Sequence, residues 1–180
     1  LQVNRNLSTL FVHGRALDDN GVAEIANALS VNTGLTELNL WSNSFGAPGV
    51  ESIANGLALN NCLSTLDLSG NTIGDSGVKP LTDSLMANNL PLTTLILEGN
   101  LIGADGATQI AEALRGNRCT TLTSLDLQNN AVGADGTREI AEALRSNTSL
   151  STLNLEENSI GAEGAGHIAQ VLKSSSTSLT

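Results

Sequence analysis

The sequence predicts an α/β fold in which one strand–turn–helix unit is repeated along the whole chain. A recurring leucine phrase gives the period, because seven copies start 28 to 30 residues apart. The phrase has the form L-x-x-L-x-L-x-x-N, and an apolar residue, a Gly-rich turn and a helical pattern follow the complete copies. Its first leucines are Leu7, Leu35, Leu63, Leu92, Leu122, Leu150 and Leu179. We therefore expect residues 1–180 to form one domain of about six repeats.

The strand of each unit is predicted from the L-x-L part of the phrase. Side chains alternate along a strand, so Leu95 and Leu97 point to one side and their neighbours to the other. One side is then core and the other is solvent. We expect the strands to be neighbours, in chain order, in one parallel sheet. They are predicted at residues 38–40, 66–68, 95–97, 125–127 and 153–155.

The helix of each unit follows the Gly-rich turn. In the unit that starts at Leu92, Ile110, Ala111 and Leu114 form an apolar stripe that can pack against the strand leucines. A glycine recurs one turn before this stripe, which we attribute to a close approach of helix and strand. It is found at Gly21, Gly49, Gly77, Gly106, Gly136 and Gly164.

Two asparagine series complete the unit. The first series ends the strands, and its amides predict a hydrogen-bonded ladder from unit to unit. It comprises Asn43, Asn71, Asn100, Asn130 and Asn158, while Arg15 takes this position in the first unit. The second series follows the helices, where a left-handed cap favours Gly or Asn. It comprises Asn4, Asn32, Asn60, Asn88, Asn117 and Asn147.

The segment from Leu150 to Gly164, LSTLNLEENSIGAEG, resembles the leucine-rich repeat of the ribonuclease-inhibitor type, and the resemblance covers essentially the whole chain. It implies a horseshoe-shaped solenoid with a parallel β-sheet on the concave side and α-helices on the convex side. Membership of the ribonuclease inhibitors themselves would imply two alternating repeat types and abundant cysteine. This chain has one repeat type and two cysteines, so we do not expect it to be such an inhibitor. Neither end shows the polar cap of a terminal repeat, and we expect a fragment of a longer array.

Composition and charge exclude several classes of partner. Eight Lys and Arg residues against 18 Asp and Glu residues give a net charge of −10, which repels nucleic acids and anionic membranes. Cys62 and Cys119 precede strands two units apart, about 10 Å, which exceeds the ~7 Å limit between the Cα atoms of a disulfide. We expect both thiols to be unpaired, in agreement with a cytoplasmic location.

The sequence lacks a recognisable catalytic or cofactor site, and we expect neither an enzyme nor a bound metal or cofactor. His13 and His167 lie several units apart, and His167 takes a helix position, shared by Gln109 and Glu139, that we expect to be exposed. The Gly-rich turns lack the lysine of a phosphate-binding loop. They carry acids such as Asp105, which the helix dipole favours. Acids on separate strands also do not form a calcium loop.

The concave face carries the candidate site. From Leu35 onward every strand displays an acid, and no Lys or Arg lies among the outward positions. His13 and Trp41 occupy the same slot on adjacent strands and should touch, whereas Phe45 takes a core position. Exposed aromatic residues that cluster are typical anchors of protein interfaces. The predicted partner-binding residues are Phe11, His13, Glu37, Trp41, Asp67, Ile96, Glu98, Asp126, Glu156 and Glu157.

These features predict a non-enzymatic scaffold that binds a protein partner with a basic patch on its acidic concave face. Three alternatives stay open. In the first alternative, the acids are merely solvated, and further repeats or a flanking domain cover the aromatic residues. The same type of repeat also occurs in GTPase-activating proteins of the Ran type and in the ligand-sensing segments of NOD-like innate-immune receptors, so the resemblance does not choose the partner.

Overall fold

The computed structural model describes residues 4–14, 17–87, 90–115, 118–119 and 121–173. Within them strands and helices alternate, and we number the six strand–helix units in chain order. The strands are β1 (Thr9–Phe11), β2 (Glu37–Asn39), β3 (Thr65–Asp67), β4 (Thr94–Ile96), β5 (Ser124–Asp126) and β6 (Thr152–Asn154). The helices are α1 (Asp19–Leu29), α2 (Ala47–Leu57), α3 (Gly74–Ala87), α4 (Ala104–Leu114), α5 (Gly133–Leu144) and α6 (Gly161–Lys173). Outside the described residues lie Arg15, Asn88, Asn117 and Leu179.

The described strands form one open parallel sheet in the order β1-β2-β3-β4-β5-β6, which confirms the predicted topology. Equivalent residues of successive units pair in register, so that Leu66 lies beside Leu95 and Leu95 beside Leu125. Each strand starts one residue before the L-x-L motif. The period of the sequence therefore sets the register of the sheet.

The leucines of the strands and the apolar residues of the helices form one continuous core between the two layers. Leu38 and Leu66 from the sheet and Ile53 and Leu81 from the helices are fully buried. Burying such a side chain contributes about 1.5–3 kcal/mol. Phe45 is also fully buried, as predicted, so the core absorbs one of the few aromatic side chains.

The asparagines that follow the strands form a hydrogen-bonded ladder, as predicted. Asn100 is fully buried, and its Nδ2 donates to the carbonyl oxygens of Leu97 (3.1 Å) and of Leu68 in the preceding unit (2.9 Å). Asn130 Oδ1 accepts from the amides of Asn100 (3.0 Å) and Ile102 (2.9 Å), again in the preceding unit. The Nδ2 of every ladder asparagine thus donates to a carbonyl of the preceding unit. The Oδ1 atoms of Asn43, Asn130 and Asn158 also bind the turn of that unit, whereas those of Asn71 and Asn100 are buried without a hydrogen-bond partner among the described residues.

The described members of the second asparagine series, Asn4, Asn32, Asn60 and Asn147, do not have the left-handed conformation, so the predicted cap is wrong for them. Asn60 Oδ1 instead accepts from the amides of Cys62 and Leu63, both at 2.9 Å, and its Nδ2 donates to the carbonyl of Leu29 at 2.9 Å. Asn147 repeats these contacts in its own unit. The side chain binds both the following turn and the preceding helix, and this double contact makes a left-handed backbone unnecessary.

From α2 onward the recurring helical glycine packs against the preceding helix, and the predicted contact with a strand is wrong. A Cβ on Gly106 would lie 2.6 Å from Asp75 Oδ1 and 2.7 Å from Ile102 Cγ2. A Cβ on Gly136 would lie 2.8 Å from the Cβ of Ala107. We call this line of first helical turns, where successive helices meet, the helix seam. The glycines allow the helices to approach one another closely there.

Two helix starts in the seam are capped by an aspartate of the preceding unit. Asp75 Oδ1 accepts from the amides of Gly103 (2.7 Å) and Gly106 (2.9 Å) at the start of α4. Asp19 makes the equivalent contacts at the start of α2. A carboxylate at this place satisfies free amide donors and lies at the positive end of the helix dipole. Asp105 lies in the first turn of α4, as predicted for an acid that the helix dipole favours, but it is exposed and does not cap the helix.

Candidate protein-binding face

The outward side of the sheet is a surface that we call the open face. The strand leucines point toward the helices, so the residues between and beside them point outward in three rows. The first row is Thr9, Glu37, Thr65, Thr94, Ser124 and Thr152. The second is Phe11, Asn39, Asp67, Ile96, Asp126 and Asn154. The third, just past the strands, is His13, Trp41, Ser69, Glu98, Gln128 and Glu156. The rows contain all the predicted site residues except Glu157, which lies in the next turn with φ 55°.

The N-terminal end of the open face is aromatic. The ring centroids of His13 and Trp41 are 5.7 Å apart and the rings are tilted by 48°, which confirms the predicted contact. Trp41 is 49% exposed and Phe11 60% exposed. The indole nitrogen of Trp41 would lie 3.5 Å from a Cβ placed on Gly70, so the ring also leans over the next unit. The Trp41 ring thus lies on the surface beside residues of both neighbouring units.

Two acids of the open face are engaged by neighbouring residues. Asp67 Oδ1 accepts hydrogen bonds from the amide and the hydroxyl of Ser69, and Oδ2 accepts from Asn39 Nδ2 at 2.6 Å. Asp126 repeats the pattern, with Oδ1 bonded to the Gln128 amide and Oδ2 to the Asn154 side chain. These carboxylates close the exit turn of their strands and join adjacent strands.

The glutamates of the open face have a different environment. Glu37 and Glu98 are half-buried and Glu156 is exposed. None of their carboxylates accepts a hydrogen bond or forms an ion pair with another described residue. Their charge therefore faces solvent without a partner in the described part of the chain.

The described basic residues all lie away from the open face. They are Arg5, Lys79, Arg115, Arg118, Arg138, Arg145 and Lys173. Ion pairs within the described residues join helix-side groups, for example Lys79 with Asp83 at 2.5 Å and Arg145 with Glu142 at 2.7 Å. Opposite charges therefore compensate one another on the helix side, whereas the ionisable residues that the structure describes on the open face are all acids apart from His13.

Sequence reasoning did not identify the amide partners of the acids or one exposed side chain. Asn39 and Asn154 hold Asp67 and Asp126 across the strands, and the signal for all four is an Asn or Asp as the last residue of the strand, where its side chain can accept from the amide two residues later. Leu101 follows a ladder asparagine, has φ 61° and is 70% exposed. Its apolar side chain lies in the turn after β4.

The other chemically active side chains do not converge on a second site. His13 lies in unit 1, while His167 is half-buried on α6 instead of exposed. Within the described residues no group of three His, Cys, Asp or Glu could hold a metal. Cys62 and Cys119 are both free, as predicted, and burial raises the pKa of the Cys119 thiol. In the same part of the chain, every helix is too short or too polar to cross a membrane.

An apolar cleft of about 640 Å³ lies at the outer side of unit 6, lined by Leu153, Leu155, Ile168 and Leu172 among others. Units 1 to 5 cover the equivalent surface with the strand and helix of the following unit. Its shape and apolar lining are therefore those of a stacking surface between repeats.

Comparison with known proteins agrees with the repeat architecture. A family model described as "Leucine Rich repeat" matches residues 31–54, 59–81, 88–111, 118–141 and 146–169. By sequence, no curated protein matches the chain. Among solved structures, leiomodin-1 actin-binding site 2 has a TM-score of 0.58 at 19% identity, covering 94% of this chain and 80% of that one. The tropomodulin C-terminal domain of Caenorhabditis elegans has a TM-score of 0.56 at 9% identity, with 95% and 85% covered.

Proposed function

Because this chain belongs to the leucine-rich repeat family, we propose that it is a scaffold that binds a partner protein through the open face of its sheet. The uncompensated negative charge of this face carries the proposal. Glu37, Glu98 and Glu156 have no cationic neighbour among the described residues, although such neighbours are present on the helix side. A partner with a basic patch would be attracted to this face and oriented by it.

The aromatic end of the face supplies the second requirement of an interface, an anchor. Trp41 and Phe11 expose large apolar surfaces in a chain that has few aromatic residues. Truncating such an anchor in a protein interface commonly costs 2 kcal/mol or more. We therefore assign affinity mainly to the aromatic end and attraction mainly to the glutamates.

The type of repeat and the cellular location belong to the same proposal. A period of 28 to 30 residues with a helix in every unit supports the ribonuclease-inhibitor type of repeat. Two free thiols support a cytoplasmic location. The scaffold role requires no catalytic group, cofactor or metal.

Affinity capture with the purified chain, followed by association and dissociation rates for variants, tests the proposal. The double variant Glu37→Gln, Glu98→Gln removes charge without removing a hydrogen bond, so association should slow and lose salt dependence. Trp41→Ala should accelerate dissociation about thirtyfold, the equivalent of about 2 kcal/mol.

The matched control is the double variant Glu51→Gln, Glu112→Gln, which removes the same charge from exposed positions of α2 and α4. Gln109 and Glu139 are less suitable because both are half-buried. The control should leave both rates within about twofold of the wild type. Loss of binding in the control, with the open-face variants unaffected, would place the interface on the helices and refute the proposal.

Actin is a specific candidate partner, favoured by the likeness to the structure titled leiomodin-1 actin-binding site 2 over 94% of this chain. Co-sedimentation with filamentous actin tests it directly. Binding that Trp41→Ala or the Glu37, Glu98 double variant weakens would support actin at the open face. No sedimentation above the level of the unpolymerised control would exclude binding to filamentous actin and leave the scaffold proposal to the capture experiment.

A further inference from the structure

We propose that the centre of the open face, formed by Asp67, Ile96 and Asp126, binds an α-helix with two basic residues seven positions apart and an apolar residue midway between them. The inference rests on the proposed function and specifies the structural element that the partner presents. The peptide experiment distinguishes a failure of this inference from a failure of the proposed function.

The three residues lie in one row on adjacent strands. Asp67 pairs in register with Ile96, and Ile96 with Asp126. Neighbouring strands are about 4.8 Å apart, so the two carboxylates are separated by roughly 10 Å with Ile96 between them. Within the described row, Asn39 and Asn154 flank this group on its outer sides. The centre of the row is therefore a half-buried apolar side chain with an acid on each side.

The two carboxylates are held in matching orientations. Each Oδ1 accepts from the amide two residues later, and each Oδ2 accepts from the asparagine on the side away from Ile96. A carboxylate offers about four acceptor sites, and these contacts use three on Asp67 and two on Asp126. Both acids thus retain capacity for a cation, and little side-chain freedom is left to lose on binding.

The spacing favours a helix over an extended segment. In a helix, residues seven positions apart are about 10.5 Å apart on one face, and the residue three or four positions along lies between them. In an extended chain, residues on the same face recur about every 6.7 Å, which gives about 6.7 or 13 Å. Only the helix places two cations and one apolar group opposite all three residues at once.

The test uses synthetic alanine-based helical peptides labelled with a fluorophore and titrated with the purified chain. The matching peptide carries two arginines seven positions apart and a leucine three positions after the first. The control has the same composition, with the arginines four positions apart and the leucine beyond them. The matching peptide should bind about fivefold more tightly or better, because only it aligns both ion pairs with the apolar contact.

Protein variants locate the binding. Ile96→Ala should weaken binding of the matching peptide at least threefold and leave the control peptide unchanged. Leu59→Ala, at an exposed aliphatic residue outside the strands, is the matched control and should change neither. Thermal melts establish that each variant is folded.

Several outcomes would overturn the inference. Equal affinity for the two peptides would mean that charge alone attracts them, and the absence of binding would reject the helix directly. Sensitivity to Trp41→Ala but not to Ile96→Ala would move the contact to the aromatic end. In each case a captured partner that maps to the open face would leave the scaffold proposal intact, whereas a partner on the helices would refute both.

Discussion

The helix seam and the open face both carry carboxylates, but the two regions use them differently. In the seam, Asp75 Oδ1 accepts hydrogen bonds from two backbone amides of the next unit, at 2.7 and 2.9 Å. On the open face, the carboxylate of Glu98 accepts no hydrogen bond from a described residue, while that of Asp67 lies between these extremes. A carboxylate whose acceptor sites are filled by its own chain contributes to stability. A carboxylate whose sites stay open, on a face where no described Lys or Arg lies, is available to another molecule.

The largest expected loss of stability comes from Gly106→Leu, a substitution in the helix seam. The new Cβ would overlap Asp75 and Ile102, so the helices must separate at a cost of about 3 kcal/mol. Gly166→Leu on α6 is the matched control, because a Cβ there meets nothing within 4 Å. The control should be neutral or slightly stabilising. Urea unfolding midpoints measure both, and equal midpoints would contradict the close approach of the helices.

Removal of a seam carboxylate should have the next largest effect. Asp75→Ala leaves two amides of α4 without their acceptor and should cost about 1–2 kcal/mol of unfolding free energy. Asp105→Ala removes the same charge from the same helix end and should cost about 0.5 kcal/mol or less. Denaturant titration of the two variants gives the difference. Equal losses would mean that helix-dipole electrostatics, not the hydrogen bonds across the seam, accounts for the effect.

On the open face, stability should separate the aspartates from the glutamates. Asp67→Ala breaks the bonds from Ser69 and Asn39 at a partly exposed site and should cost about 1 kcal/mol. Glu98→Ala breaks none and should stay within about 0.5 kcal/mol of the wild type. A loss from Glu98→Ala as large as that from Asp67→Ala would show that the glutamates are structural and weaken their assignment to binding.

The smallest effect on stability is expected from reductant, since neither thiol cross-links the seam or the sheet. The unfolding midpoint should be the same with and without a reducing agent. Alkylation at constant pH should still distinguish the thiols, because burial raises the pKa of Cys119 and shields its sulfur. Cys62 should react at least about tenfold faster. A non-reducing peptide map that contains the bond between the two cysteines would contradict the geometry.

The sequence period predicted the strand order, the register and the asparagine ladder because each depends only on which residues are equivalent. It did not predict which surface the glycines face. Gly106 lies on the same helical stripe as Ile110, and that stripe adjoins both the strands and the neighbouring helix. Whether the glycines contact the strands or the neighbouring helix depends on how far one unit is displaced from the next. The sequence of a single repeat does not reveal that distance.

For the candidate site, the sequence predicted the positions of the side chains but not their hydrogen bonds. Alternation along the strands placed Trp41, Ile96 and Glu98 on the outward side, where the structure has them. The bonds from Asn39 to Asp67 and from Asn154 to Asp126 were not foreseen, because they join side chains 28 residues apart in sequence. Composition alone treats all these acids as equal, and only their hydrogen bonds divide them.

The asparagine ladder gives the array a direction of growth. Asn130 holds the amides of Asn100 and Ile102, so the turn of unit 4 is complete only when unit 5 has been added. A chain leaving the ribosome from its N-terminus would therefore close this turn one repeat late, as Asn130 emerges, and the turns of units 1 and 5 wait in the same way for Asn43 and Asn158. These turns should stay open to proteases until the following repeat has been made.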